Sequence, residues 1–195
     1  EGTDREVVVQ NTIFTRYGVE RVVRYAFDLA VKTGRKKVTS ATKSNGINFT
    51  MPFWDEVFAE VGKAYPDITR NQFHIDALCA RFVTHPQDFD VVVGSNLFGD
   101  ILTDLGPAIA GSIGVAPSAN IDPTKEFPSM FEPVHGSAPD IAGMGIANPC
   151  GAIASAALLL RHSLGLDHEA TAVENAISAA ISGGARTADI AAAGE

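Results

Sequence analysis

The segment FDVVVGSNLFGDILTDLGP, residues 89–107, constrains the fold more than any other part of this sequence. Its first residues, Phe89–Val93, form a short β-branched apolar run that is typical of a strand buried on both faces. A helix should follow at once, capped by Ser95 or Asn96, and Gly106-Pro107 should loosen or end it. A buried strand that leads directly into a helix indicates an α/β protein.

Two aspartates on this predicted helix, Asp100 and Asp104, form the first candidate site. They lie one helical turn apart, so their carboxylates should project from one face just beyond the strand's carboxyl end. Two like charges at this spacing repel each other, and a cation would remove the repulsion. Oxygen ligands favour a hard ion, Mg²⁺ or Mn²⁺. The alternative is an Asp100 that complements the helix dipole beside a solvated Asp104.

Strands and helices alternate through the first 111 residues. Apolar residues at helical spacing predict helices over Val19–Val31, over Thr50–Val61 with Thr50 as its cap, and over Ile75–Val83, while Lys37–Thr42 reads as a strand. This order predicts an α/β fold with largely parallel strands, in which functional groups gather where strands end and helices begin.

After Gly111 the sequence becomes rich in Gly, Pro and Ser, which predicts a domain boundary or a binding loop. Two Ala-rich helices should close the chain, from about Pro149 to His162 and from His168 to Ser182. Within the loop, small side chains and free backbone N–H groups suit close approach of a ligand, and Asp140 could accept hydrogen bonds from ribose hydroxyls. The alternative is a structural loop pinned by prolines. The small-residue run consists of His135, Gly136, Ser137 and Ala138.

Two further charged residues follow predicted strands or lie at a helix edge, namely Lys43 in TSATKSNG and Asp76 in FHIDALCA. Asp76 adjoins the apolar stripe of its helix, so it could point toward a neighbouring surface. Taken singly, a Lys or an Asp is more often solvated surface than a functional group.

Composition excludes several classes of function. The net charge of −8, without any block of Lys or Arg, argues against nucleic acid or an anionic membrane as partner. The longest apolar run, Ile153–Leu160, is too short to span a bilayer. Cys79 and Cys150 lack metal-ligand spacing, which indicates free thiols in a reducing compartment and a cytoplasmic protein.

Three long motifs together carry a family resemblance: TSATKSNGINFTMPFWDEVF, NLFGDILTDLGP and EPVHGSAPDIAGMGIANP. The chain resembles the metal-dependent β-decarboxylating dehydrogenases, the family of isocitrate, isopropylmalate and tartrate/D-malate dehydrogenases. SATKSNG and TMPFWDE are most similar to the tartrate/D-malate branch, since isopropylmalate enzymes tend to have Asp where Thr42 stands. The resemblance implies an isocitrate/isopropylmalate dehydrogenase-like fold of two domains: residues 1–111 for dimerisation, metal and substrate, and residues 112–195 as the C-terminal half of the cofactor domain.

The resemblance also implies roles for individual residues. Lys43 matches the catalytic lysine that reaches the partner subunit's site, and Asp76 matches a metal ligand that crosses the same interface. Asp100 and Asp104 match the metal carboxylates that the subunit contributes to its own site. The positions that match the NAD site are Asn96, Glu132, His135, Gly136, Ser137, Ala138, Asp140 and Asn148.

The family's substrate-binding arginines and catalytic tyrosine have no match here and should precede Glu1, so we expect a fragment that is inactive alone. Met144 departs from the family's usual Lys. The resemblance implies a homodimeric, NAD-dependent oxidoreductase that uses Mg²⁺ or Mn²⁺ to oxidise a small 2-hydroxy dicarboxylate such as tartrate or D-malate, with or without decarboxylation. Isopropylmalate is the alternative substrate, and a noncatalytic metal- and nucleotide-binding subunit is the alternative class.

Overall fold

The computed structural model describes residues 2–191, which divide between Gly99 and Asp100 into two compact units. Glu1 and residues 192–195 lie outside the described part. The division falls within a helix. The assignment of residues 1–111 and 112–195 to two functional domains stays a prediction. Among the described residues, none of the helices is both long enough and apolar enough to cross a membrane.

The first unit is built on a three-stranded parallel sheet, which confirms the expected α/β class. Strand β1 (Lys37–Thr42) lies in the centre, between β2 (Thr69–His74) and β3 (Val91–Val93). Ala41 pairs with Phe73 of β2, and Ser40 pairs with Val93 of β3. Because all three strands run in the same direction, the segments that follow them leave the sheet on one side, at the carboxyl ends of the strands, which we call the carboxyl edge of the sheet.

Three helices of this unit have the predicted positions. They are α1 (Arg16–Lys32), α2 (Thr50–Gly62) and α3 (Ile75–Thr84). Thr15 caps α1 by accepting a hydrogen bond from the Gly18 N–H at 3.1 Å. The apolar faces of α1 and α2 pack together beside the sheet, as the stacked rings of Phe27 and Phe58 show, with centroids 5.5 Å apart.

Several local predictions for this unit are wrong. Strand β2 was not predicted, because its sequence TRNQFH is mostly polar. It lies at one edge of the sheet, where β1 is its neighbour on one side only. Thr50 does not cap α2, because it is the first helical residue and no side-chain cap bond forms there. Val83, an apolar residue of the periodic pattern that predicted α3, is exposed, although this pattern implies a buried face. Strand β3 is shorter than predicted and lies at the opposite edge.

Helix α4 (Asn96–Ala110) is longer than the sequence indicates, because it continues through Pro107. Proline removes one backbone N–H from the helical ladder, but here the apolar residues beyond it extend the helix by three residues. Short 3₁₀ helices occupy Pro86–Asp88, Ile113–Val115 and Pro139–Ile141.

The second unit contains a two-stranded antiparallel sheet and two helices. Strands β4 (Pro117–Asn120) and β5 (Met130–Pro133) lie in the region predicted as a loop, where their short length and prolines concealed them. Helices α5 (Cys150–His162) and α6 (Asp167–Ser182) confirm the two predicted Ala-rich helices.

Helix α5 lies against β4, β5 and α6. A Cβ atom at Gly151 would lie 2.9 Å from the Gly114 carbonyl oxygen and 3.0 Å from that of Ala116, so only glycine fits at this contact. Between the helices, Arg161 donates to Glu174 at 2.5 and 2.9 Å.

The loop that joins β4 and β5 is organised by one carboxylate, that of Asp122. It accepts hydrogen bonds from the Thr124 N–H at 3.0 Å and from the Phe127 N–H at 2.9 Å. These bonds, the Phe127 bond first, hold the pKa of Asp122 below its usual value. Lys125 lies inside the loop with φ of 59°, and Phe127 projects into solvent.

Candidate functional site

Lys43 and Asp76 meet at the carboxyl edge of the parallel sheet. Lys43 directly follows β1, and its carbonyl accepts hydrogen bonds from Gly46 and Ile47, which fixes the turn there. Asp76 lies in the first turn of α3, directly after β2. Since β1 and β2 are parallel neighbours, both residues emerge side by side, and Lys43 Nζ lies 2.9 Å from Asp76 Oδ2.

Local hydrogen bonds favour the ionised form of Asp76. The Lys43 ammonium is the main cause, and the backbone N–H groups of Asp76 and Ala77 add to it, so the pKa of this carboxyl is lowered from its usual value. Asp76 is two-thirds exposed, whereas Lys43 is mostly covered. The pair therefore presents one accessible carboxylate beside an anchored ammonium group, two residues that the sequence predicted for one site.

Asp100 and Asp104 lie one turn apart on α4, and both are exposed. Their oxygen atoms suit Mg²⁺ or Mn²⁺ chemically. Among residues 2–191, however, no three His, Cys, Asp or Glu side chains are placed together as a metal site. The shared role of Asp76, Asp100 and Asp104 as metal ligands therefore stays a prediction.

A cavity of about 480 Å³ in the second unit collects half of the residues predicted for the cofactor. His135, Ser137, Ala138 and Asn148 line it, together with small residues of the 143–147 segment. Its size lies within the range of small-molecule pockets. Three of the other predicted residues do not line it, namely Gly136, Asp140 and Glu132 in β5. Asn96 belongs to the first unit, at the start of α4.

The backbone around this cavity adopts unusual conformations. Ala138 has a φ of 41°, in the left-handed region that side chains with a Cβ rarely enter, and Gly143 and Gly145 also have positive φ values. Such conformations concentrate where a ligand is held by the main chain. In the sequence, the high frequency of Gly and Pro in this segment was the signal for these backbone conformations.

The cavity also has an acidic wall residue that the sequence reasoning missed, Asp189. Its Oδ2 accepts hydrogen bonds from the Ser112 hydroxyl and from Asn148 Nδ2, the latter at 3.0 Å. Burial raises the pKa of this carboxyl, but the hydrogen bonds, first that of Ser112, outweigh the burial and lower the pKa to about 2. No local motif marks Asp189, because its partners lie 41 and 77 residues earlier.

Comparison with curated proteins shows similarity to three kinds of dehydrogenase. D-malate dehydrogenase (decarboxylating) of Escherichia coli K12 is 56% identical over 93% of this chain and 50% of its own length. Tartrate dehydrogenase/decarboxylase of Pseudomonas putida is 61% identical over 82% of this chain and 44% of its own length. 3-Isopropylmalate dehydrogenase of Streptomyces coelicolor is 52% identical over 92% of this chain and 51% of its own length.

The fold has a solved counterpart in isocitrate dehydrogenase from Methylococcus capsulatus. The two superpose with a TM-score of 0.90 at 41% identity, over 98% of this chain and 56% of that one. The chain spans about half the length of the curated relatives it matches. A family model described as isocitrate/isopropylmalate dehydrogenase matches residues 1–195. The resemblance in the sequence motifs is thereby confirmed, and the chain belongs to the isocitrate/isopropylmalate dehydrogenase family.

Proposed function

We propose that this chain forms part of an NAD-dependent enzyme that oxidises a small 2-hydroxy dicarboxylic acid such as tartrate or D-malate, with or without loss of a carboxyl group. The observation that carries the proposal is the 2.9 Å contact between Lys43 and Asp76 at the carboxyl edge of the sheet. It places a lysine, whose neutral amine could accept a proton, beside a carboxylate at the edge of the sheet where α/β proteins bind ligands. The names of the relatives support the same reaction class.

Three carboxylates would hold a divalent metal in this enzyme: Asp100 and Asp104 from one subunit and Asp76 from its partner. When bound, Mg²⁺ or Mn²⁺ would act as a Lewis acid on the oxygens of the substrate. Lys43, in its neutral amine form, would take the proton of the substrate's hydroxyl group as a general base and become the ammonium. The exposed carboxylate of Asp76 supports this assignment, because it leaves the ligand atom accessible to a neighbouring subunit.

The cavity in the second unit would bind the adenosine side of NAD. Its small, largely apolar lining suits a flat base, and Ser137 and Asn148 supply polar groups at the wall. Asp140 lies on the adjoining 3₁₀ helix, where its negative charge would disfavour the 2′-phosphate of NADP.

Two other functions remain candidates. The first is an isopropylmalate dehydrogenase, which the 52% identity to 3-isopropylmalate dehydrogenase of Streptomyces coelicolor supports. The identities to the D-malate and tartrate dehydrogenases are higher, at 56% and 61%, so D-malate and tartrate are preferred as substrates. A noncatalytic binding subunit would also keep the nucleotide cavity, but it would have no need of the Lys43–Asp76 pair.

The test is an NADH-formation assay on the full-length protein with D-malate, tartrate and 3-isopropylmalate, each with Mn²⁺ and with EDTA. We expect turnover with D-malate or tartrate that EDTA abolishes. Asp104→Asn should raise the Mn²⁺ concentration needed for half-maximal rate and leave the unfolding temperature nearly unchanged. An unchanged Mn²⁺ requirement would contradict the metal assignment, and binding of NAD without any turnover would support the noncatalytic subunit.

A further inference from the structure

One carboxylate joins three distant segments of the second unit at the wall of its cavity. Asp189 accepts hydrogen bonds from Ser112, next to the first 3₁₀ helix of this unit, and from Asn148, just before α5. Asn148 and Ser112 are both buried, and all three residues line the cavity. Asp189 therefore links the three segments at the wall.

The hydrogen bonds also fix the orientation of the Asn148 amide. Its Nδ2 donates to Asp189 Oδ2 at 3.0 Å, and its Oδ1 accepts from the Cys150 N–H at 3.0 Å. A flipped amide would place oxygen against carboxylate and NH₂ against N–H, so only one orientation satisfies both partners. Asp189 thus determines which polar atoms Asn148 can offer.

Close packing keeps this arrangement in place. The Ser112 hydroxyl accepts from the Gly114 N–H at 2.9 Å while it donates to Asp189. A Cβ atom at Gly114 would lie 2.8 Å from the Asn148 Cβ and 2.9 Å from Asp189 Oδ2. The three segments therefore approach as closely as glycine permits, and loss of the carboxylate leaves two buried donors without their acceptor.

We propose that Asp189 is a positioning residue for nucleotide binding: it orients Asn148 and holds the cavity wall in the shape that accepts the adenosine part of the dinucleotide. This inference rests on the proposed nucleotide site. Asp189 acts through Asn148 and Ser112, so it should change the affinity for nucleotide and not the chemical step.

The experiment compares Asp189→Ala and Asp189→Asn in the full-length protein, with AMP as the probe in calorimetry and NAD⁺ in steady-state kinetics. Asp189→Ala should weaken AMP binding about tenfold and raise the KM for NAD⁺ by a similar factor, with kcat at saturating NAD⁺ unchanged. Asp189→Asn keeps an oxygen acceptor, so it should restore most of the affinity. Asp122→Ala is the matched control, because it removes an equally well bonded carboxylate of the same unit away from the cavity.

The outcomes separate the two proposals. If Asp189→Ala binds AMP as tightly as the wild type does, the positioning role is refuted and the nucleotide site stands. This holds even if the variant unfolds at a lower temperature. If the wild type itself binds neither AMP nor NAD⁺, both are overturned. Should Asp189→Ala fail to fold, Ser112→Ala decides in the same way, since it removes one of the two hydrogen bonds and weakened binding is again the expected result.

Discussion

Replacement of Lys43 by methionine should separate its contribution to stability from its role in the proposed reaction. Methionine keeps most of the aliphatic side chain and removes the ammonium group that lies 2.9 Å from Asp76. The Asp76 side chain is 67% exposed and that of Lys43 is 28% exposed. Ion pairs with such an exposed partner contribute about 0.2–1 kcal/mol to stability, so Lys43→Met should lower the unfolding temperature by only a few degrees.

The effect on turnover should be much larger. A positioned general base contributes roughly 10²–10⁴-fold to the rate, which corresponds to about 3–5 kcal/mol of activation free energy. We therefore expect Lys43→Met to reduce kcat at least 100-fold in the NADH-formation assay, while thermal unfolding of the same preparation changes little. The affinity for AMP should be preserved.

Lys37 supplies a matched control on the same strand. It lies at the opposite end of β1, and its Nζ donates to the Asp88 carbonyl at 2.7 Å. Lys37→Met removes a comparable lysine contact and should lower stability by a similar amount without loss of turnover. If Lys43→Met turned over as fast as Lys37→Met, the general-base assignment would be refuted.

Three further predictions concern the second unit. Gly151→Ala should destabilise the protein by about 1–3 kcal/mol in denaturant titration because of its close carbonyl neighbours, whereas Gly106→Ala, with open space around it, should not. Asp189 has a folded pKa of about 2, below the usual 3.8, so the stability it contributes is present above pH 4 and lost as the pH falls through 2. The full pKa shift of Asp189 corresponds to about 2 kcal/mol of unfolding free energy, and solvent screening of this exposed side chain reduces it to about 1 kcal/mol. The difference in unfolding free energy between wild type and Asp189→Asn should therefore shrink on acidification. NAD⁺ should be preferred to NADP⁺, and Asp140→Ser should narrow the ratio of their kcat/KM values.

The sequence predicted the helices far better than the strands. Helices α1, α5 and α6 carry apolar or small residues at regular helical spacing, and this periodicity can be recognised in the sequence without knowing which elements the helix packs against. Strand β2 has no such signal, because its polar side chains are tolerated at the edge of a sheet. Strands β4 and β5 have four residues each, too few for alternation to be recognised.

The candidate site was predictable only in part. Lys43 follows the predicted strand β1, and Asp76 follows its parallel neighbour β2, which the sequence did not reveal, so the family motifs were needed to assign both residues to one site. Asp189 was not predictable in this way, because its importance depends on side chains of two distant segments that meet only in the folded unit. The spacing of Asp100 and Asp104 on one helix indicated a cation site without any comparison, whereas Asp76 could be named as a third ligand only through the family motifs.

The bonded loop between β4 and β5 affects how proteases would attack this unit. Lys125 is exposed and would be the obvious tryptic site of the loop, but proteases bind their substrates extended, and its φ of 59° is incompatible with that conformation. The backbone bonds to Asp122 must open before Lys125 can enter a protease cleft. The rate of tryptic cleavage after Lys125 therefore reports local opening of the loop between β4 and β5, and Asp122→Ala should increase this rate.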